Sequence, residues 1–280
     1  VNEQNWLYTV MSDDAYVQGR TPITPMMYDI AQLQLRYGAN TTFNAGPTNY
    51  RFTNTDHPFT AAGITTLLEQ SLMTLWDSGG SGDTIDASLA TTSVKLDLRE
   101  GEFSAIGTNY TVNGDRALNV GIAFGTQIEN AKGGSGKDTL IGNGLANKLQ
   151  GGAGDDTYKF IGAYGKDTIV DSGANNKIEI DGTTLVADGA MVGKAGGQQN
   201  VWNATIGGHA YTYTLYGSVA TGYTLIVQKA GDASNAITIN NFNFALAKAG
   251  GYMGIKLDMT QKVQLRNDAG PNVFANPGAD

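Results

Sequence analysis

Two nearby stretches of the chain share a nine-residue frame, and this repeat restricts the possible fold more than any other feature. They are GGSGKDTLI (133–141) and GGAGDDTYK (151–159), which begin 18 residues apart. GNGLANKLQ (142–150) fills the space between them, and GAYGKDTIV (162–170) and DSGANNKIE (171–179) follow after a two-residue insertion. The sixth position always offers a side-chain oxygen, and the eighth is always large and apolar. The sixth-position residues are Asp138, Asn147, Asp156, Asp167 and Asn176, and the eighth-position residues are Leu140, Leu149, Tyr158, Ile169 and Ile178.

The repeat length predicts a solenoid in which each nonapeptide forms one short strand and one turn. Two nonapeptides then complete one coil, so eighth-position side chains stack into a core, and glycines permit the tight turns. Equivalent turns lie two repeats apart, which places Asp138 beside Asp156. Two adjacent carboxylates repel each other unless a cation lies between them. Calcium fits best, because it is a hard cation that also accepts backbone carbonyl ligands. The alternative is a set of ordinary Asp-Gly turns without an ion.

The nonapeptide resembles the calcium-binding β-helix repeat of RTX proteins. The resemblance implies two or more calcium ions held by sixth-position side chains and by carbonyls of the turns. A first ion is implied at Asp138 and Asp156, with the carbonyls of Gly134, Gly136, Gly151 and Ala153. A second is implied on the opposite edge at Asn147 and Asp167, with the carbonyls of Asn143, Leu145, Gly162 and Tyr164. A third, between Asp156 and Asn176, is expected to bind more weakly, because asparagine carries no charge.

Four stretches occur in the order in which the later part of serralysin-type secreted metalloproteases has similar ones. They are TVMSDD (9–14), TPMMYDIAQLQLRYGAN (24–40), LWDSGGSGDTIDAS (75–88) and AFGTQIENAKGGSGKDTLIGNGLANKL (123–149). In that family a turn around an M-S dipeptide lies beneath the catalytic zinc, and a helix ending in Y-G-A-N closes the protease domain. A W-D-x-G-G-N-D-T stretch opens the calcium-binding β-roll. The resemblance covers residues 8–182, and residues 195–260 are similar to another module of large RTX proteins.

The chain departs from this family where the zinc should be bound. The motif H-E-x-x-H-x-x-G-x-x-H is absent and would lie upstream of Val1, while His57 and His209 are far apart and are expected in solvated loops. Zinc catalysis needs about three protein ligands around an open position, so neither zinc nor catalysis is expected in this chain. The resemblance therefore implies either that the catalytic half has been cut away or that the parent is a degenerate relative that no longer cleaves peptides. Asp13 replaces a tyrosine of the family, and Met11 is expected in the core.

A further calcium turn is predicted ahead of the nonapeptides. The stretch WDSGGSGDTID (76–86) places Asp77, Asp83 and Asp86 among three glycines. The equivalent stretch of the family binds calcium, although this chain has one extra residue relative to the usual spacing. The resemblance therefore implies another ion here, with Asp77 and Asp83 as ligands.

Composition restricts the partners and the ligand chemistry. The net charge of −8 argues against nucleic acid and anionic membranes as partners. No apolar run approaches the roughly 20 residues of a membrane helix. The absence of cysteine leaves oxygen and histidine as metal ligands. Glycine is abundant, with 38 residues, but a hydrophobic content of 41% favours a folded chain whose glycines lie in turns.

The predicted fold is mainly β: a parallel β-roll of RTX nonapeptides, with flanking β-sandwich-like strands and a short N-terminal helix. The helix is expected over residues 25–37, and residues 64–76 fit either a helix or a strand. Strands are predicted at 93–98, 117–124, 211–217, 224–230, 236–242 and 252–259. The expected units are a remnant of a metzincin-like domain (1–40), a β-rich lead-in (41–130), the roll (131–182), a C-terminal β module (183–262) and a linker or arm (263–280).

Three hypotheses follow for the function. The first is a calcium-dependent folding and export module, as in RTX proteins exported by type I secretion, which stays loose in a low-calcium cytosol and folds outside. The second is an extracellular structural subunit (a surface layer, filament or adhesin) that self-assembles and is made rigid by the same ions. The third is the noncatalytic half of an active zinc metalloprotease. All three place the chain outside the cell or at a bacterial cell surface.

Overall fold

The computed structural model describes residues 8–11, 20–53, 71–107, 111–112, 115–116, 118–171, 173, 175–185, 191–194 and 200–259. Within these residues the chain is mainly β, which confirms the predicted fold class. The helices in this part of the chain are α1 (Met27–Tyr37) and α2 (Phe244–Ala249), and neither is long and apolar enough to cross a membrane. Asp13, His57, residues 64–70 and the arm at 263–280 lie outside the described residues.

The predicted N-terminal helix is confirmed as α1, and local hydrogen bonds fix both of its ends. The Asp29 carboxylate accepts the backbone N–H of Met26 at 2.8 Å, which satisfies one of the free donors at the start of the helix. The helix ends at Gly38, which has a φ of +83° and donates its N–H to the Gln34 carbonyl at 2.8 Å.

Ten strands of the described residues precede the nonapeptides. They are β1 (Thr21–Pro22), β2 (Asn49–Arg51), β3 (Ser71–Leu75), β4 (Thr84–Asp86), β5 (Lys95–Asp97), β6 (Phe103–Ser104), β7 (Thr111–Val112), β8 (Asp115–Arg116), β9 (Val120–Ile122) and β10 (Asn130–Lys132). Four of them form a separate sheet in the order β1-β3-β9-β6. Strand β3 shows that the ambiguous segment at 64–76 is a strand over residues 71–75.

The nonapeptides form the predicted parallel roll. Their strands are β11 (Thr139–Ile141), β12 (Lys148–Gln150), β13 (Thr157–Phe160), β14 (Lys166–Val170) and β15 (Lys177–Ile180). They alternate between two parallel sheets, one running β4-β10-β12-β14 and the other β5-β11-β13-β15. The register pairs Leu140 with Tyr158 and Ala131 with Leu149. Two nonapeptides therefore complete one coil.

The eighth-position side chains fill the core of the roll, as predicted. All five are at most 1% exposed and belong to one hydrophobic cluster: Leu140, Leu149, Tyr158, Ile169 and Ile178. Burying an aliphatic or aromatic side chain of this size contributes about 1.5–3 kcal/mol. The core therefore holds the coils together through side chains, while the turns lie at its edges.

The C-terminal strands extend the roll without a break in the hydrogen bonding. They are β16 (Thr183–Thr184), β17 (Met191–Lys194), β18 (Val201–Ile206), β19 (His209–Ser218), β20 (Gly222–Lys229), β21 (Ala236–Asn240) and β22 (Lys256–Leu257). Strand β21 pairs in parallel with β14, and β20, β19 and β18 follow in antiparallel order. One sheet of eleven strands thus runs from β2 through the roll to β22.

Two expectations about single segments are wrong. The strand predicted at 252–259 is reduced to Lys256–Leu257, because the chain turns at Met253 and Gly254, which have φ values of +52° and +78°. Met11 is 83% exposed and does not lie in the core. The residue just before it is hydrogen-bonded to helix α1: the Val10 N–H donates to the Asp29 carboxylate at 2.9 Å.

Candidate metal sites in the turns of the roll

Side-chain oxygens and backbone N–H groups form a ladder along both edges of the roll. On one edge, the N–H of Asp138 donates to Asp156 Oδ1 at 2.8 Å, and the N–H of Asp156 donates to Asn176 Oδ1 at 2.7 Å. On the other edge, the N–H of Asn147 donates to Asp167 Oδ1 at 2.8 Å. Each sixth-position residue therefore lies beside the residue two repeats away, as the spacing predicts.

The ladder uses only one oxygen of each of two buried carboxylates. Asp156 and Asp167 are both 0% exposed, and the Oδ2 atom of each has no hydrogen-bond donor. Burial raises the pKa of both carboxyls to about 7, and the nearby carboxylates of Asp138 and Asp171 add to the effect at Asp156. Buried polar atoms normally have partners, and an uncompensated buried charge is costly. A cation beside these oxygens would remove that cost.

Asp138 is bonded differently from the other two aspartates. Its Oδ1 accepts the N–H of Val94 at 2.8 Å, and its Oδ2 accepts the N–H of Gly134 at 2.7 Å. In the preceding coil, Val94 lies just before β5, at the position that Asp138 occupies just before β11. The preceding coil therefore supplies no carboxylate at this position. Each carboxylate oxygen still has a second lone pair for a cation.

The stacked glycine turns bring backbone oxygens close to the next coil. Gly152 and Gly154 have φ values of +101° and +119°, which side chains rarely allow. A Cβ atom at Gly152 would collide with the carbonyl oxygen of Gly134, and one at Gly154 with that of Gly136. The Gly134 carbonyl also accepts the Ala153 N–H at 3.0 Å. Two of the predicted carbonyl ligands thus lie between turns that only glycine permits.

The opposite edge is held partly by side chains. Asn143 donates from Nδ2 to the carbonyls of Leu98 and Ile128 at 2.9 and 2.8 Å, and its N–H donates to Asn147 Oδ1 at 2.8 Å. The Leu145 carbonyl lies where a Cβ of Gly165 would collide with it. Gly162 is exposed, whereas the Tyr164 side chain is buried against Phe160, with ring centroids 5.3 Å apart.

The lead-in turn brings two of its three aspartates together. Asp77 is buried and accepts the hydroxyl of Tyr50 at 2.7 Å. Asp83 is also buried and has a free Oδ2, and burial together with the charge of Asp77 raises its pKa. Asp86 instead forms an ion pair with Lys132 at 3.7 Å. The turn therefore offers Asp77 and Asp83 to a cation, while a lysine neutralises Asp86.

The sequence analysis missed one carboxylate at the edge of the roll. Asp171 occupies the first position of its nonapeptide, where the two best copies have glycine, and it is 7% exposed. It accepts a hydrogen bond from the Tyr158 hydroxyl. A Cβ atom at Gly151 would lie less than 3 Å from both Asp171 Oδ2 and Asp156 Oδ2, so these two oxygens are close to each other. The signal in the sequence was an aspartate at a repeat position where the two best copies have glycine.

The donor set favours a hard cation. Among the described residues, no three His, Cys, Asp or Glu side chains cluster closely enough to hold a metal by themselves. Pairs of carboxylates supplemented by backbone carbonyls are typical of calcium, whereas zinc prefers nitrogen and sulfur. His209 was expected in a loop, but it begins strand β19, where it is exposed.

Comparisons with known proteins find one matching family and several related proteins. Residues 39–241 match the family described as peptidase M10 serralysin C terminal. The metalloprotease AprA of Pseudomonas entomophila is 44% identical over 127 residues, which are 45% of this chain and 24% of that protein. A serralysin of Photorhabdus laumondii is 41% identical over 155 residues, or 53% of this chain and 30% of that protein. Serralysin B of Dickeya chrysanthemi is 44% identical over 125 residues, or 44% and 24%. The chain thus spans less than a third of these relatives.

Proposed function

Because the chain belongs to the peptidase M10 serralysin C-terminal family, we propose that its roll is a calcium-binding module that folds on calcium outside the cell. One observation carries the proposal: Asp156 and Asp167 each keep a buried oxygen without a donor, at the edge of turns whose carbonyls stack on the next coil. Hard cations take such carboxylate and carbonyl oxygens.

The proposed ligands are those that the repeat implies. The first ion takes Asp138 and Asp156, and the second takes Asn147 and Asp167. In the lead-in turn, Asp77 and Asp83 hold another ion. The carbonyls proposed for the first two sites are those of Gly134, Gly136, Gly151 and Ala153, and of Asn143, Leu145, Gly162 and Tyr164.

Calcium would act on folding through mass action. An ion that binds the stacked turns and not the unfolded chain stabilises the roll by about 2.7 kcal/mol at 100 times its dissociation constant. Extracellular modules bind calcium at about 10⁻⁴–10⁻³ M. The chain would therefore stay loose at the low calcium concentration of the cytosol and fold after type I secretion.

The proposed role in catalysis is indirect. The relatives are metalloproteases by name, but this sequence has two histidines and no H-E-x-x-H motif. We expect the chain alone not to cleave casein, with or without zinc. A parent protein that carries the zinc motif ahead of Val1 would be the active enzyme, with this chain as its noncatalytic part.

A calcium titration of the whole chain tests the proposal. The protein is stripped with a chelator and followed by circular dichroism, and a cooperative gain of β signal is expected between about 0.1 and 10 mM calcium. The double variant Asp156→Asn/Asp167→Asn should lose most of this dependence on calcium. The control is Asp155→Asn, because the Asp155 side chain is 43% exposed and its carboxylate pairs with the surface residue Lys137 at 2.9 Å.

The titration also separates the main hypotheses. A chain that is fully folded in chelator, and whose stability calcium does not change, would overturn the proposal and favour the structural-subunit hypothesis. A control variant that loses calcium dependence as the double variant does would also count against the assigned ligands.

A further inference from the structure

The third turn of the roll has an unexpected source of negative charge. The sequence pairs Asp156 with Asn176 at this place, which would make a weak cation site. Asn176 Oδ1 accepts the N–H of Asp156 at 2.7 Å, and its Nδ2 is buried without a partner among the described residues. Asn176 therefore supplies a hydrogen-bond acceptor to the ladder and no charge.

Asp171 provides the charge that Asn176 lacks. Its Oδ1 accepts the N–H of Gly173 at 2.8 Å, and its Oδ2 accepts the hydroxyl of Tyr158. The Tyr158 oxygen is itself fixed by the N–H of Gly151 at 2.8 Å. The carboxylate of Asp171 is thus held in one orientation, with its Oδ2 near the unpartnered Oδ2 of Asp156.

We propose that Asp171 and Asp156 are the two carboxylates of a third divalent-cation site, for calcium, at this edge of the roll. The inference rests on the proposed function and deepens it, because it assigns a ligand outside the sixth position of the repeat. Two buried carboxylates repel each other unless a cation or a proton lies between them. Because Gly151 has no Cβ, both oxygens can lie close to the place where that atom would otherwise be.

The site joins the roll to the C-terminal strands. The Tyr252 hydroxyl donates to the backbone carbonyl of Asp171 at 3.1 Å, and Tyr252 packs edge-on against Phe242 with ring centroids 5.3 Å apart. An ion at Asp171 would therefore stabilise the last coil where the C-terminal module contacts it.

Counting bound calcium tests the inference. Equilibrium dialysis at saturating calcium is run on the whole chain, with folding verified by circular dichroism. Asp171→Asn and Asp171→Gly should each bind one ion fewer than the wild type. The glycine variant has the residue that the two best copies of the repeat carry at this position, so it tests the site even if Asp171→Asn folds poorly. Asp155→Asn, which removes a charge beside Asp156 in the same turn, should bind the full number. Tyr158→Phe keeps both carboxylates, so it should retain the full number with weaker affinity.

The outcomes separate this inference from the proposed function. A wild type that binds no calcium overturns both. A wild type that binds several ions, with both Asp171 variants binding the same number equally tightly, overturns the third site and leaves the others standing. Loss of one ion in Tyr158→Phe at saturation would also overturn the third site. Both carboxylates are still present in this variant, so the loss would show that the Tyr158 hydrogen bond, and not the charge of Asp171, is needed for the ion. A proton shared by the two carboxyls would appear as an unchanged calcium count.

Discussion

Replacing Asp167 by asparagine should change the stability of the chain in opposite directions with and without calcium. Asp167 is 0% exposed, and its Oδ2 has no donor. In the calcium-free protein at about pH 8 this carboxylate is a buried, uncompensated charge. Asn has nearly the same shape and still accepts the N–H of Asn147 through Oδ1, but it carries no charge.

The magnitude follows from the environment of the carboxyl. Its pKa rises from an ordinary 3.8 to about 7 through burial, and each factor of ten in acidity corresponds to about 1.4 kcal/mol. The folded state holds the proton more tightly than the unfolded state, so the calcium-free fold loses about 4 kcal/mol as the pH rises from about 4 to about 8. The Nδ2 amide of the new asparagine would be buried without a hydrogen-bond partner, which destabilises the variant by about 1–3 kcal/mol. Asp167→Asn should therefore stabilise the calcium-free chain by about 1–3 kcal/mol.

With calcium the sign reverses. At 1,000 times its dissociation constant, losing one ion costs about 4.1 kcal/mol. This loss exceeds the roughly 1–3 kcal/mol gained by removing the charge, so the variant should be about 1–3 kcal/mol less stable than the wild type. Asp167→Asn and wild type are compared in chelator by the concentration of the osmolyte TMAO needed to fold them, and in saturating calcium by urea unfolding, and Asp155→Asn is the matched control. Destabilisation of equal size in both conditions would refute the argument, since it would assign Asp167 a structural role independent of any ion. At about pH 5 the gain in chelator should vanish, because the wild-type carboxyl is then protonated.

Three further predictions concern a glycine turn, the pH dependence of calcium binding and the hydrophobic core. Gly154→Ala should lower the free energy of unfolding by more than about 2 kcal/mol in urea, because φ is +119° and the new Cβ meets the Gly136 carbonyl. Calorimetric calcium affinity should fall between about pH 8 and pH 6, because protons compete for Asp156 and Asp167, whose pKa values are raised to about 7. Leu149→Ala should cost about 2–5 kcal/mol with or without calcium.

The sequence was sufficient to predict the roll, because the nine-residue period fixes both the core and the register. A large apolar residue at every eighth position requires Leu140 and Tyr158 to stack in one sheet and Leu149 and Ile169 in the other, as they do. The period also predicts that Asp138 lies beside Asp156. Spacing alone determines these neighbours, so no knowledge of individual contacts was needed.

The sequence was not sufficient where contacts between distant segments decide the structure. The pairing of β14 with β21 joins residues about 70 positions apart, and no local pattern predicts that the C-terminal strands extend the roll. Helix α2 was missed for the same reason, since its six residues have little intrinsic helical stability and pack against the sheet. Asp171 lies at the first position of its nonapeptide and not at the sixth, so the sixth-position pattern does not identify it as a candidate ligand, although its contact with Tyr158 gives it a fixed orientation.

The ladder explains why asparagine and aspartate share the sixth position of the repeat. One oxygen of this residue accepts an N–H from the neighbouring coil, as Asn176 and Asp167 both do. Asparagine meets this need as well as aspartate. The second atom differs: in Asp167 it is an acceptor with negative charge, whereas in Asn176 it is an amide donor. The backbone ladder therefore tolerates either residue, and of the two only aspartate adds the charge that the proposed cation needs. At the third turn a carboxylate comes from outside the sixth position, from Asp171, so the third site that we propose there cannot be predicted from the identity of the sixth residue alone.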